Sequence, residues 1–159
     1  MRISTKLLAL SFSMALAVAA AGGTAQAQAP GGVAEFLARN AREPGVKTLP
    51  SGVQYKVVHA GDPAGPSPKL GDVIKVNYEG ALTNGQVFDS TYKRGKASLM
   101  QLADLVPAWM EALPLMHVGD EWTLYVPPEQ GYGERQAGPI PPNSILVFRL
   151  QLVGMLSAD

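Results

Sequence analysis

Apolar and polar side chains alternate along several short stretches of the chain, beginning near Ser51. Alternation with a period of two is typical of strands that bury one face of a sheet. The last stretch is the clearest, because large apolar residues fall on one face while Arg149 and Gln151 fall on the other. Five strands are predicted in all, at residues 52–61, 73–80, 86–90, 121–128 and 145–155.

Two other stretches repeat apolar residues at helical spacing. The first is predicted as a helix over residues 33–42 that ends before Pro44-Gly45. A helix of about ten residues is too short to be stable alone in water, so it should either dock on the domain or fray. The second lies within residues 102–116, where Pro107 suits an early helical position and Pro114 ends the helix.

The predicted strands 73–80 and 86–90 are separated by a turn, and the second of them contains an unexpected carboxylate. Asn84-Gly85 is a strong hairpin signal and predicts a tight primed turn with positive φ at both residues. Asp89 then follows two apolar residues, at a point where the pattern faces inward. A buried carboxylate is costly unless it is hydrogen-bonded or functional. Asp89 is therefore a candidate functional residue, and the alternative is that it braces the hairpin together with Ser90 and Thr91.

Together these elements predict an α+β domain, with several antiparallel strands, one short helix across one face of the sheet and long loops at one end. A sheet with a single helix across its concave face leaves a shallow apolar hollow between them, which is a natural ligand site. Loops are expected at residues 61–72, 91–96 and 129–144.

The first 27 residues have the features of a secretory signal peptide. Basic residues precede the apolar run LLALSFSMALAVAA, and Ala25-Gln26-Ala27 forms an A-x-A cleavage site. Cleavage after Ala27 is preferred to cleavage after Ala29, and the product is expected in the periplasm or outside the cell without stable membrane association. The alternative is a membrane anchor, because the run is close to spanning length. The predicted organisation is a signal peptide at 1–27, a flexible lead-in with a short helix at 28–50, and a folded domain at 51–156.

Composition narrows the function classes. The chain has 13 basic and 13 acidic residues, and two basic residues lie in the signal segment, so residues 28–159 carry 11 against 13 and a net charge of about −2. This balance gives no reason to expect nucleic acid or an anionic membrane as a partner. The chain has no cysteine, which excludes thiol chemistry. His59 and His117 are well separated and are assigned to surface turns, so neither a metal nor a cofactor is expected.

Several segments, taken in order, resemble the FKBP-type peptidyl-prolyl cis-trans isomerases. They are VNYEGALTNGQVFDSTYKRG, LVPAWMEAL and VGDEWTLYVPPEQGYGERQAGPIPPNSILVFRLQLVGM. The similarity runs from about Gly45 to Met155, and FLARNAREPGVKTLPSGVQYKV resembles the linker region of the secreted, Mip-like bacterial branch. The resemblance implies an FKBP-like α+β fold, in which a five-stranded antiparallel half-barrel sheet wraps around one short helix.

The resemblance also implies an aromatic pocket, with Trp109 as its floor, Phe88 and Phe148 as its walls and Tyr132 as a polar lip. Tyr78 would hydrogen-bond the carboxylate of Asp89, and the Val106 N–H and the Tyr132 hydroxyl would donate to substrate carbonyls. The residues expected to be catalytic are Asp89, Tyr78, Tyr132 and Phe88. The residues expected to bind the substrate are Leu105, Val106, Trp109, Ile140, Phe148 and Met100.

The activity implied by the resemblance is acceleration of X–Pro bond rotation in exported proteins during folding, with proline-containing polypeptides as substrates. Macrolide inhibitors are candidate ligands. The alternative is a peptide-binding chaperone or interaction module on the same fold with weak or no isomerase activity. A dimeric chaperone is disfavoured, because the short helix at 33–42 cannot build the long dimerisation arm of such relatives, and a monomer is predicted.

Three features depart from the usual pattern of the family. Ser98 stands where a bulky apolar or aromatic residue is usual, near the flexible Met100. Ala108 and Ala112 replace the glycines that commonly flank the floor tryptophan, and Pro139 precedes Ile140 in the last loop. These departures bear on the shape of one side of the pocket and hence on substrate preference and inhibitor affinity.

Overall fold

Seven antiparallel strands form a single sheet in the computed structural model, which describes residues 30–158. The strands are β1 (Val46–Thr48), β2 (Gln54–His59), β3 (Val73–Leu82), β4 (Val87–Ser90), β5 (Ser98–Gln101), β6 (Glu121–Val126) and β7 (Leu146–Leu156). The helices are α1 (Pro30–Asn40), α2 (Thr91–Arg94) and α3 (Pro107–Ala112), with 3-10 turns at Leu102–Asp104, Leu113–Leu115 and Pro128–Gln130. The predicted signal peptide, residues 1–27, lies outside the described residues.

Strand β3 is hydrogen-bonded on both of its edges. The strand order is β1-β2-β6-β7-β3-β4, and β5 pairs with β3 on the same side as β4. Along its other edge β3 pairs with β7 over its whole length, from Val73 opposite Leu156 to Leu82 opposite Leu146. The outer edge of β5 has no strand partner within residues 30–158.

The predicted fold class is confirmed, and all five predicted strands are present as β2, β3, β4, β6 and β7. The predicted number of strands was too low, because β1 and β5 were not recognised. These two strands have only three and four residues. A period of two cannot be recognised over so short a stretch.

The core lies between one face of the sheet and α3. Alternate residues of β3, β6 and β7 are buried, as the alternation predicts. From α3, Trp109 is 4% exposed, and Ala108 and Ala112 are fully buried. Burial of a large apolar side chain contributes about 1.5–3 kcal/mol, so packing of Trp109 on the sheet helps to hold this six-residue helix in place. The strand residues of the cluster include Ile74, Val76, Tyr78, Leu124, Leu146, Phe148, Leu150 and Leu152.

The helix predicted within residues 102–116 is shorter than expected. Helix α3 begins at Pro107 and ends before Pro114, as predicted. Val106 is extended, with φ −59° and ψ 148°, because a proline disfavours the helical conformation of the residue before it. Leu105 is extended as well. The helical prediction was therefore wrong for residues 102–106, which form a 3-10 turn and an extended pair.

The primed turn predicted at Asn84-Gly85 was wrong in its type. Gly85 has a φ of +87°, but Asn84 does not adopt a positive φ. The Gly85 N–H donates to the Leu82 carbonyl at 2.9 Å, and the Leu82 N–H donates to the Gln86 carbonyl at 2.9 Å. This is the three-residue hairpin loop in which a left-handed residue closes a turn, so only one glycine-like position is needed.

The loop predicted at residues 91–96 begins as a one-turn helix, α2. The Ser90 Oγ accepts a hydrogen bond from the Lys93 N–H at 3.3 Å, and Gly95, with a φ of +66°, ends the turn. Serine before a helix and glycine after it are favoured caps. The prediction missed this helix because four residues carry no helical period.

Helix α1 docks on the sheet rather than fraying. The Asn40 Nδ2 donates to the Gln54 Oε1 at 2.8 Å, and the Gln54 Nε2 donates to the Leu37 carbonyl at 2.9 Å. The Phe36 ring lies 6.3 Å from the Tyr125 ring. One buried glutamine of β2 thus anchors the C-terminal end of the helix. Between residues 30 and 158, no helix combines the length and apolarity needed to cross a bilayer.

Replacing Gln54 with alanine should release α1, because both side-chain hydrogen bonds disappear and Asn40 keeps a buried unpaired amide. We expect a loss of about 1–3 kcal/mol in the free energy of unfolding and faster hydrogen exchange across α1. Urea denaturation and hydrogen–deuterium exchange measure the two effects. Gln151→Ala is the control, since the Gln151 Oε1 accepts from the Asn77 Nδ2 at 3.1 Å away from α1. Unchanged exchange in α1 of the Gln54 variant would contradict the anchoring role.

Candidate active site

A hollow of about 530 Å³ opens between α3, the sheet and the loop that follows β6. All ten residues predicted for the site line it, which brings together positions from Tyr78 to Phe148. The lining also includes Asp104, Ala137, Gly138 and Pro139, which were not predicted as site residues. The structure therefore places the predicted residues around one space, while their roles stay predictions.

Aromatic rings form the floor and the walls of this hollow. The Trp109 ring packs edge-on against Tyr78 and against Phe148, each with ring centroids 5.2 Å apart. Phe88 packs edge-on against Phe148 at 5.7 Å. Edge-to-face packing at these distances adds stability beyond that of buried area. The Trp109 Nε1 is buried and has no hydrogen-bond partner among the described residues.

Gly80 makes this arrangement of rings possible. It lies on β3 opposite Asp89 of β4 and opposite Phe148 of β7. A Cβ atom at Gly80 would lie 2.6 Å from the Phe88 ring and 2.8 Å from the Phe148 ring. Such contacts are far inside the van der Waals distance, so only glycine lets both rings cross the strand here. The sequence interpretation assigned no role to Gly80.

The carboxylate of Asp89 is held by two partners. The Tyr78 hydroxyl donates to its Oδ2, and Arg94 forms an ion pair with its Oδ1. The Asp89 side chain lines the hollow and is 40% exposed. Its desolvation is therefore partial, and its two partners offset it. Arg94 also approaches Ser98, with its Nη2 3.4 Å from the serine Oγ.

Ser90 and Thr91, which were expected to brace the hairpin together with Asp89, contact the backbone through their hydroxyls. Ser90 caps α2 through its hydroxyl. The Thr91 Oγ1 accepts from the Tyr78 N–H at 2.8 Å and donates to the Tyr78 carbonyl at 3.1 Å. The carboxylate of Asp89 in turn joins β4 to Tyr78 of β3 and to Arg94 of α2, so its bracing role and its functional role both stay predictions.

Protonation follows from these contacts. Burial alone would raise the pKa of Asp89, but the hydrogen bonds from Tyr78 and Arg94 and the Arg94 charge outweigh it and hold that pKa below its ordinary value of 3.8. Burial raises the pKa of Tyr78, and its hydrogen bond to Asp89 raises it further. At neutral pH the site therefore presents an ionised carboxylate beside a protonated tyrosine.

Arg94 was missed by the sequence interpretation, which treated the basic run after Ser90 as a solvated loop. The side chain is 47% exposed, so that part of the interpretation agrees with the structure. The available signal was an arginine five residues after a candidate carboxylate, but only the turn of α2 brings the two groups together.

The loop after β6 is fixed by its own backbone. Ala137 and Ile140 exchange two hydrogen bonds, at 3.1 and 2.9 Å, around a turn in which Gly138 has a φ of +54°. Pro139 is the second of the two central residues of this turn, directly after Gly138. The proline that departs from the family pattern is therefore compatible with a tight turn. Ile140 and Tyr132, the latter only partly buried, face the hollow from this loop.

The polar groups at the rim are few. The Val106 carbonyl accepts from the Trp109 and Met110 N–H groups, whereas the Val106 N–H has no hydrogen-bond partner within residues 30–158. Within the same range, no group of three His, Asp or Glu side chains could hold a metal ion. The arrangement can bind an apolar ring, donate hydrogen bonds to carbonyl oxygens and present one fixed negative charge.

Gly80→Ala should destabilise the protein by about 1–3 kcal/mol, because the added methyl group must displace the Phe88 or Phe148 ring. Thermal unfolding measures the loss, and aromatic NMR shifts report the displaced rings. Gly154→Ala is the matched control, since a Cβ at this other strand glycine meets nothing within 4 Å. Equal melting temperatures for both variants would contradict the close approach at Gly80.

Arg94→Gln should raise the pKa of Asp89, because the variant loses the ion pair and its hydrogen bond. In the wild type the depressed pKa contributes stability that is present above the unfolded-state pKa and is lost as the pH falls through the folded-state value. The variant should lose part of this contribution. Carboxylate ¹³C NMR titration measures the pKa directly, with Lys93→Gln as the control for removal of a nearby charge. The same pKa in wild type and Arg94→Gln would show that the ion pair is unimportant.

The comparisons with known proteins agree with this geometry. Residues 65–153, more than half of the chain, match a family model described as FKBP-type peptidyl-prolyl cis-trans isomerase. Residues 9–57 match a second model, described as the domain amino terminal to FKBP-type peptidyl-prolyl isomerase. The second match covers α1, β1 and part of β2.

Individual relatives give the same result. Peptidyl-prolyl cis-trans isomerase Mip of Coxiella burnetii is 50% identical over 121 residues, covering 76% of this chain and 52% of the relative. Outer membrane protein MIP of Legionella longbeachae is 44% identical over 124 residues, covering 77% of this chain and 52% of the relative. The crystal structure of FkpA from Escherichia coli matches with a TM-score of 0.75 at 39% identity, covering 80% of this chain and 59% of that chain. The chain spans about half the length of the curated relatives it matches. It belongs to the FKBP-type peptidyl-prolyl cis-trans isomerase family.

Proposed function

We propose that this chain is a peptidyl-prolyl cis-trans isomerase that accelerates X–Pro bond rotation in exported proteins during folding. The observation that carries the proposal is the single aromatic hollow lined by all ten predicted residues, with an ionised carboxylate at its rim. Membership of the family supports the same reaction. The proposed catalytic residues are Asp89, Tyr78, Tyr132 and Phe88, and the proposed binding residues are Leu105, Val106, Trp109, Ile140, Phe148 and Met100.

The reaction needs neither an acid nor a nucleophile. The barrier to rotation, roughly 18–20 kcal/mol, comes from the loss of amide resonance in the twisted state. A catalyst therefore has only to bind the twisted amide more tightly than either planar form. Lowering the barrier by about 7–8 kcal/mol corresponds to an acceleration of about 10⁵–10⁶-fold.

The aromatic hollow supplies this preference by excluding water. The carbonyl oxygen of a planar amide carries partial negative charge and is well solvated in water, whereas the twisted amide is less polar. Removal from water therefore destabilises the planar forms more than the twisted one. The edge-packed rings of Trp109, Phe88 and Phe148 would grip the pyrrolidine ring and hold the bond in position.

Polar groups at the rim would orient the substrate. The unpaired N–H of Val106 and the hydroxyl of Tyr132 are the proposed donors to the carbonyls that flank the proline. Asp89, fixed by Tyr78 and Arg94, would place its charge near the carbonyl carbon of the twisting bond. Because Asp89 is half-exposed, solvent screens this charge and its effect on the rate should be moderate.

The remaining assignments extend this proposal. We propose a signal peptide at 1–27, a lead-in at 28–50 and an isomerase domain at 51–156, with the product in the periplasm or secreted; one relative is named an outer membrane protein. Proline-containing polypeptides are the proposed substrates, and macrolides are proposed inhibitors. We propose a monomer, since all ten site residues come from one chain and the hollow needs no second copy.

The test is NMR exchange on a short X–Pro peptide. We expect Phe88→Ala to lose more than about tenfold in exchange rate, because one wall of the hollow disappears, and Asp89→Val to lose about three- to tenfold. Phe36→Ala is the matched control, since Phe36 is also half-buried but packs on Tyr125 away from the hollow. It should keep the wild-type rate. A wild-type rate equal to that in buffer would remove the enzyme claim, and peptide binding without exchange would support the chaperone alternative.

A further inference from the structure

A second hollow, of about 740 Å³, adjoins the aromatic one along β5. Met100 lines both spaces. The second space has three basic side chains and no acidic one in its lining, and we name it the cationic hollow. Its main lining residues are Lys75, Arg94, Lys96, Ser98, Leu99 and Met100.

Two of the three cations have no anionic partner. Arg94 is paired with Asp89, but none of the ion pairs within residues 30–158 involves Lys75 or Lys96. Both lysines are exposed. The segment 28–159 has an excess of acidic residues, 13 against 11 basic ones. The cationic hollow is thus opposite in charge to the chain as a whole, which points to an anionic occupant.

The position of the cationic hollow points to a polypeptide as that occupant. Strand β5 (Ser98–Gln101) borders it and has an outer edge without a strand partner in the described part of the chain. Extended peptides bind to such free edges through main-chain hydrogen bonds. Leu99, 65% exposed, adds an apolar contact at the same place. Met100 lies opposite Ile74 on the core face of the sheet, and Lys75 lies opposite Leu99 on the outer face. A polypeptide that leaves the aromatic hollow past Met100 and crosses the edge of β5 therefore reaches Lys96 and Lys75.

We propose that the cationic hollow is a specificity subsite that binds an aspartate or glutamate of the substrate, close in sequence to the isomerised proline. An extended chain advances ~3.3 Å per residue. An acidic residue about two to four positions from the proline can therefore occupy the cationic hollow while the proline occupies the aromatic one. This inference rests on the proposed isomerase function and narrows its substrates to proline segments with nearby acidic residues. Attraction between exposed charges is moderate, weakens with salt and acts strongly on encounter rates.

The test compares three peptides: one with glutamine both three residues before and three residues after the proline, and two in which glutamate replaces one of these glutamines. Fluorescence anisotropy measures binding and NMR exchange measures kcat/KM, both at low and at high salt. We expect one glutamate peptide to exceed the glutamine peptide by about three- to tenfold in both measurements at low salt. The advantage should shrink at high salt.

Lys75→Gln/Lys96→Gln should abolish this advantage and leave the glutamine peptide unaffected. Lys47→Gln/Lys56→Gln, which removes two exposed charges on β1 and β2, should retain it. Equal binding of all three peptides by the wild type, or a preference kept in the first double variant, would overturn the subsite. If no peptide is isomerised, the proposed function is wrong. The anisotropy comparison of glutamate and glutamine peptides then still shows whether the subsite exists. Tighter binding to phosphatidylglycerol vesicles than to either glutamate peptide would overturn the proposal in favour of a membrane surface.

Discussion

The pairing of β3 with strands on both of its edges is the constraint on which the site depends. Tyr78, Gly80 and Lys75 all lie on this strand, and its partners β4 and β7 supply Phe88, Asp89 and Phe148. A shift of register by one residue would turn every side chain to the opposite face. The ten-residue contact with β7 makes such a shift costly, so the strand fixes the aromatic hollow and the Tyr78–Asp89 hydrogen bond at the same time.

Around Asp89, neighbouring residues make different kinds of contact. Ser90 and Thr91 hold the backbone through their hydroxyls, while Asp89 directs its carboxylate to Tyr78 and Arg94. Two partners on different elements fix this carboxylate in one orientation although it is 40% exposed. Orientation by a tyrosine hydroxyl and an arginine, rather than a dry environment, therefore distinguishes this group from the aromatic walls beside it.

Local periodicity accounts for what the sequence predicted well. Strand β7 was predictable because Phe148, Leu150 and Leu152 alternate with the polar residues Arg149 and Gln151, whereas β5 is too short to show a period. Arg94 and Gly80 were not predictable in their roles, since the first depends on the capped turn of α2 and the second on ring positions set by three strands. The grouping of the ten site residues came from family resemblance, because contacts across strands depend on register, which a period of two does not specify.

The close approach at Gly80 also constrains how this sequence can vary. Gly80, Phe88 and Phe148 share one volume, so a larger residue at the first position requires a smaller one at the second or third. Substitutions at residues in contact are not additive in their effect on stability. Substitutions at these three positions should therefore occur together. A change in the width of the pocket requires at least two of them to be replaced.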